Sequence, residues 1–264
     1  MNNSNSNKYL FSKNIDEQLK DIYNAYKFTI LFFKEVFKKP FYMRETITQC
    51  FEIGLRSLGL ITITGFIVGM VFVKQSRPSL QSFGAVSWLP SLMGIATVRA
   101  LGPLVTGLIS AGKVGSGIGA ELGSMRVTEQ IDAMEVSAIN PFKYLVVTRV
   151  VAATISIFAL SMYCSFVGLM GSYVNINSNE GISFISFLQN AFSSIGLIDI
   201  VTNIVKSISY GFTIGIVGCY KGFNATQGTR GVGSAANKAV VISIFLIFIE
   251  EFIIVQVVNW IRYL

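Results

Sequence analysis

Apolar residues gather along this chain into five blocks, roughly 51–73, 86–111, 144–171, 199–220 and 239–261, each near the length of about 20 residues that a spanning helix needs. Runs of this length are read as helix rather than strand. The second block is the least uniform, holding Pro90, Arg99 and Pro103, and the third is longer than a bilayer requires, which leaves room for tilt. Ahead of the blocks the pattern changes. Ile15, Leu19, Ile22, Tyr23, Tyr26, Ile30, Phe33 and Phe37 recur at spacings of three and four, with a lysine-rich face opposite. That period predicts an amphipathic helix lying in the membrane interface, too charged for a cleaved signal peptide. The polar residues 1–7 are expected to form a disordered tip, and Pro40 to break the helix before the first span. The chain divides into 1–45, tip and basic interfacial helix, and 46–264, a five-span domain.

Composition agrees with lipid as the solvent. Of 264 residues, 52% are hydrophobic and 13% charged, against roughly 25% charged in soluble domains. The fold class is an all-α integral membrane protein. Histidine is absent, and Cys50, Cys164 and Cys219 lie scattered in apolar stretches without a CxxC pair. His-based acid–base catalysis, Ser-His-Asp triads and His-ligated metal are therefore excluded, and no catalytic or metal site is predicted. The net charge of +7 points to lysines facing anionic lipid rather than to nucleic acid. Basic residues concentrate in the N-terminal region and in the connections near 112–143 (Lys113, Arg126, Lys143) and 221–238 (Lys221, Arg230, Lys238). The segment 172–198 has none, the 74–85 loop has Lys74 and Arg77, and the C-terminal end has Arg262. This distribution places the N-terminus in the cytoplasm and the C-terminus outside, as an odd number of spans requires.

Four features carry candidate chemistry. Gly107 to Lys113 has the GxxxxGK spacing of a phosphate loop, but Val114 stands where the magnesium-binding hydroxyl belongs, so any ATP hydrolysis is assigned to a partner. Gly115, Gly119 and Gly123 fall four apart, on one helical face, where small residues let backbones approach. They fit packing within the subunit, a subunit interface or a hinge equally well. The stretch Glu121–Glu135 is short, charged and amphipathic, and lies on the expected cytoplasmic side between spans two and three, where it can serve as a docking helix. Finally, Arg99, Lys206, Glu250 and Glu251 are ionisable groups inside spans, each costing about 2.5–3.5 kcal/mol at a helix centre. At least one of the glutamates must face a polar cavity or a cation such as Arg99 or Lys206. Two acids, an arginine and a lysine fit headgroup recognition better than a conduction path built from charge rings.

The run Leu101-Gly-Pro-Leu-Val-Thr-Gly-Leu, then Ala111-Gly-Lys-Val-Gly-Ser, Ala120-Glu-Leu-Gly-Ser-Met-Arg-Val-Thr-Glu-Gln-Ile-Asp-Ala-Met and Asn140-Pro-Phe-Lys-Tyr-Leu-Val-Val-Thr-Arg149 resembles the MlaE-type permeases. These are the membrane subunits of lipid-transporting ABC systems that work with MCE-domain proteins. Gly218-Cys-Tyr-Lys-Gly and Gly231-Val-Gly-Ser-Ala-Ala-Asn-Lys-Ala-Val-Val extend the likeness, which covers about residues 50–264. The resemblance implies an interfacial helix, five spans and a short cytoplasmic coupling helix between spans two and three. It implies a homodimer bound to a cytoplasmic ABC ATPase that holds the ATP and magnesium, so that this chain has no cofactor of its own. It further implies a periplasmic MCE-domain partner, phospholipid as cargo and, as location, the inner membrane of a double-membraned bacterium or plastid. Arg99, Lys206 and Glu251 are then lipid-pocket residues, and Arg126, Glu129 and Asp132 the ATPase contact.

The chain departs from the family at one point. Where the family usually reads Arg-Glu-Leu-Gly-Pro, this sequence has Arg99-Ala100-Leu101-Gly102-Pro103. Arg99 thereby loses a neighbouring carboxylate, and Glu250 is the candidate to replace it. The expected function is that of a non-catalytic permease subunit moving phospholipid between inner and outer membranes. The competing expectation is a secondary transporter or channel that uses the intramembrane charges without an ATPase.

Overall fold

The computed structural model describes residues 3–226 and 228–262, with side chains from Leu19 onward. Met1 and Asn2 of the expected tip lie outside it, as do the side chains of Lys8, Lys13 and Ile15. The first helix, α1, runs Asn3–Val36 and so takes in most of the stretch expected as a disordered tip. It presents Phe28 and Phe32 to the rest of the protein while Ile22, Tyr23, Tyr26 and Phe33 point outward. Phe28 meets Phe142 and Tyr220 edge-on, with ring centroids 4.9 and 5.4 Å apart. The chain turns over residues 37–42, around Pro40, before the first span begins.

Five helical stretches are long and apolar enough to cross a membrane: Met43–Ser82, Val86–Val127, Phe142–Glu180, Leu197–Phe223 and Thr229–Arg262. All exceed the expected blocks, because the apolar run marks only the part in hydrocarbon while the helix continues into the interfaces. The first span is α2 (Met43–Ser82). The second is three helices in line, α3 (Leu89–Ala96), α4 (Gly102–Ser110) and α5 (Ser116–Val127), joined by π turns at Thr97–Leu101 and Ala111–Gly115. After the short α6 (Gln130–Val136), the third span is a π turn, Phe142–Val147, that leads into α7 (Thr148–Glu180). The short α8 (Phe184–Ser194) precedes α9 (Leu197–Phe223) and α10 (Thr229–Arg262). No strand occurs among the described residues.

One expectation needs correction, and one segment an addition. The connection placed at 112–143 is helix as far as Val127, because Ile118 and Leu122 are buried in the main hydrophobic core. Tertiary packing stabilises a stretch whose glycines lower its propensity. The segment 172–198, to which the sequence pattern assigns no element, continues α7 as far as Glu180 and then forms α8. Phe184, Phe187, Leu188 and Ala191 follow helical spacing, Ser183 caps the start by accepting from the Ser186 N–H at 3.3 Å, and the buried face of α8 covers Leu89 and Met93.

Helices α7 and α9 form the centre of the bundle. Helix α2 packs along α7, α10 along α9, and α5 against α9 and α10. The α2–α7 contact is backbone to backbone: a Cβ at Gly69 would lie 2.0 Å from the carbonyl oxygen of Gly168. Only a residue without a side chain permits that approach. Spans run alternately, so α1, α6 and the α9–α10 turn share one end, rich in lysine and arginine. The end of α2, α8 and the C-terminal end of α10 share the other.

Candidate functional site

The second span positions the site through a defect in its own helix. Pro103 has no N–H, so it cannot bond a carbonyl in the turn before it. The carbonyls four and five residues upstream, of Arg99 and Val98, take donors from α9 instead. Lys206 Nζ lies 3.2 Å from the oxygen of Arg99, and Asn203 Nδ2 lies 2.7 Å from that of Val98. Both fall on one stripe of α9, where Asp199, Asn203, Lys206 and Tyr210 follow one another at spacings of four, three and four.

Lys206 is almost wholly buried, with a side chain 1% exposed, and its ammonium donates to Glu251 Oε1 at 2.6 Å. The second oxygen of Glu251 accepts from the Tyr210 hydroxyl. A buried ion pair persists only when its remaining hydrogen-bonding capacity is also filled, and here both partners have a further ligand. About two turns along α9 from Lys206, toward the end where α10 finishes, lies a second group. Asp199, 4% exposed at its side chain, pairs with Arg262 and sits 3.9 Å from Arg99 Nε, and it also accepts the Gly196 N–H at 3.0 Å. Arg99 donates in addition to Asn259 Oδ1 at 3.1 Å. The two groups place three cations (Arg99, Lys206, Arg262) against two carboxylates (Glu251, Asp199) where spans two, four and five meet.

Of the four intramembrane residues singled out by sequence, the structure joins Lys206 directly to Glu251 and brings Arg99 beside them. Glu250 does not join. It faces inward from α10 to the Ser209 hydroxyl, 2.8 Å away, and to Thr213. No ion pair joins it to Arg99 among the described residues; the carboxylate beside Arg99 is that of Asp199, on α9. Asp199 and Arg262 were not read as site residues because each stands at the edge of an apolar block, where a charge is ordinary. The periodicity of Asp199 with Asn203 and Lys206 was the available signal.

The cluster lies at the surface of a single chain. Arg99 and Glu251 retain 24% and 19% side-chain exposure. Next to them α10 turns Phe245, Phe248, Phe252 and Ile253 outward.

The other candidates lie elsewhere. Arg126 and Asp132 bridge α5 and α6 at 2.5 Å. Glu129 sits exposed between them in the left-handed region, at φ 58°. Ile131 is buried beneath this turn, and Gln130, Asp132 and Glu135 are exposed above it. Gly115, Gly119 and Gly123 face the protein's own helices. A Cβ at Gly119 would meet Ala236 Cα and Ala239 Cβ at 3.3 Å, one at Gly123 would meet Ala225 Cβ at 3.4 Å, and one at Gly115 would meet Ile214 at 3.5 Å. The stripe thus packs α5 onto α9, α10 and the turn between them.

Comparison with known proteins gives a consistent match. The sequence profile described as Permease MlaE matches residues 46–257. A probable ABC transporter permease protein of Rickettsia typhi is 35% identical over 235 residues, covering 87% of this chain and 88% of the relative. A probable ABC transporter permease protein of Synechocystis is 36% identical over 209 residues, 79% and 80% of the two chains. The chloroplastic protein TRIGALACTOSYLDIACYLGLYCEROL 1 of Arabidopsis thaliana is 32% identical over 219 residues, 83% of this chain and 63% of that one. Five spanning helices, a charged cluster at the break in the second and a profile match over most of the chain lead to one assignment: the protein belongs to the MlaE family of ABC transporter permeases.

Proposed function

We propose that this chain is the membrane subunit of an ABC system that moves phospholipid between the inner and outer membranes, with ATP bound and hydrolysed by a separate cytoplasmic subunit. The observation that carries the reading is the Lys206–Glu251–Tyr210 cluster with Arg99 at its edge, a set of charges within the membrane that is partly open at the surface of α10. Paired cations and carboxylates beside exposed phenylalanines suit a headgroup and its acyl chains. A single chain gives such a site one wall, so a homodimer closing across α10 supplies the other. The Arabidopsis relative bears the name of a galactolipid, which supports lipid as cargo. A periplasmic MCE-domain protein completes the path to the outer membrane, and the chain itself catalyses nothing.

On the cytoplasmic side, the exposed α5–α6 turn with Arg126, Glu129 and Asp132 is the ATPase contact. Ile131, buried beneath it, transmits a push on the turn to α5. Charge reversal by Glu129→Lys is expected to abolish co-purification of the ATPase while membrane insertion stays intact; undiminished co-purification would remove the coupling assignment. Glu251→Gln in the intact complex is expected to lower ATP-dependent lipid transfer between vesicles at least tenfold. Ion flux from the purified chain alone would instead support the secondary-transporter reading.

A further inference from the structure

A second polar groove lies between α2 and α5, on the side of the bundle away from α10. Its volume is about 390 Å³, and Glu52, Arg56, Ser57, Lys113 and Glu121 line it together with apolar residues such as Ile53 and Val114. Its depth in the membrane follows from α2. Between Arg56 and Arg77 that helix advances 21 residues, about 31 Å, which matches the thickness of the hydrocarbon layer. From Leu60 to Val71 its outward side chains are apolar, Ile63 and Ile67 among them, and Lys74 and Gln75 are the first exposed polar residues on the way to Arg77. Arg77, paired with Glu180 at 2.8 Å, marks one boundary. Arg56 and the groove therefore stand at the other, in the headgroup layer on the α1 side.

The charges of the groove are incompletely matched. Arg56 lies 3.7 Å from Glu52, a loose and exposed pair. The Lys113 ammonium donates to the backbone carbonyl of Arg56, its one polar partner among the described residues. Glu121 is held from behind by the buried Arg149, 2.7 Å away. Ser57, 1% exposed, has a hydroxyl without a hydrogen-bond partner.

We infer that this groove is a binding site for a zwitterionic phospholipid headgroup from the leaflet on the α1 side. Arg56 and Lys113 take the phosphate, Glu52 takes the ammonium, and the acyl chains lie along the apolar face of α2. The site is separate from the Lys206–Glu251 cluster, and the inference rests on the membrane placement of α2 alone, not on lipid being transported.

Native mass spectrometry of the full-length protein tests it, in micelles doped with phosphatidylethanolamine, phosphatidylglycerol or diacylglycerol. A Glu251→Gln background separates this groove from the α10 cluster. Phosphatidylethanolamine is expected to be retained best and diacylglycerol least. Arg56→Ala with Lys113→Ala should weaken phosphatidylethanolamine retention about tenfold, and Glu52→Gln should bring it down to the level of phosphatidylglycerol. Millimolar inorganic phosphate should leave it unchanged. Equal retention of diacylglycerol by the unaltered groove, full retention by the double variant, or displacement by free phosphate would each overturn the proposal. If the double variant fails to fold, Arg56→Lys with Lys113→Arg must still retain the lipid, and the ranking of the three lipids remains decisive.

Discussion

Lys206 shows what a buried charge demands of its surroundings. Its ammonium is shared between Glu251 and a carbonyl that Pro103 helps leave free, so the lysine serves both an ion pair and a helix defect. Removing it leaves Glu251 without its cation. Lys206→Met is therefore expected to destabilise the protein by about 3 kcal/mol. The double variant Lys206→Met with Glu251→Gln should recover most of that loss, which thermal unfolding in detergent can measure. If the double variant is as unstable as the single one, the pair is not what the lysine serves. At the other end of α9, Asp21 of α1 accepts from the Tyr220 hydroxyl at 2.6 Å and pairs with Lys221 at 2.6 Å. Partial burial raises the Asp21 pKa, but those hydrogen bonds and the lysine charge outweigh it, and the carboxyl is held below its ordinary value of 3.8. A depressed carboxylate stabilises the folded state above that ordinary value and loses its contribution as pH falls through the lower, folded one. Hydrogen exchange in residues 20–36, taken relative to the free-peptide rate at each pH, should therefore stay slow from neutral pH to about pH 4 and quicken below it. In Asp21→Asn it should be fast throughout.

Helix contacts in this protein are set by where side chains are missing. At Gly69 a methyl group would overlap a backbone oxygen, which cannot rotate away. Gly69→Ala is thus expected to cost about 1–3 kcal/mol in unfolding experiments. The same change at Gly112, where nothing lies within 4 Å of a new Cβ, should be close to neutral. Which glycines matter could not be read from spacing alone. The 115, 119, 123 stripe was visible in the sequence, but whether it met this chain or another copy depends on α9 and α10, far along the chain. The five spans were legible because solvation by lipid selects long apolar runs regardless of partners. Their ends were not, since hydropathy falls in the interface while the helix continues. Helix α8 escaped for a different reason: eleven residues with one apolar face resemble a loop until Leu89 and Met93 are known to need a cover. Arg99, Lys206 and Glu251 announced themselves as charges in apolar blocks. Their pairing with one another, and the exclusion of Glu250, followed from helix rotation, which no linear pattern fixes.

At the scale of the whole molecule, charge is sorted by end. Lys113, Arg126, Lys143, Lys221, Arg230 and Lys238 follow α1 to one side, leaving Lys74, Arg77 and Arg262 on the other. In a chain freed of its native cysteines, a membrane-impermeant maleimide applied to intact cells should label Ser193→Cys, in the last turn of α8, and spare Ser137→Cys, just after α6. The reverse pattern would invert the orientation proposed here. The contact between Asp21 and Lys221 has a further consequence, in time rather than space. The two residues are 200 positions apart. At translation rates of about 5–20 residues per second, α1 leaves the ribosome roughly 10–40 seconds before the donor Lys221 exists. Phe142 becomes available to Phe28 only after about half that interval, and Tyr220 and Lys221 only at its end, so α1 is made long before its packing can be completed. Assembly of this permease must therefore begin with its leading segment held by something other than its final neighbours, and the bilayer surface is the nearest partner with a matching chemistry.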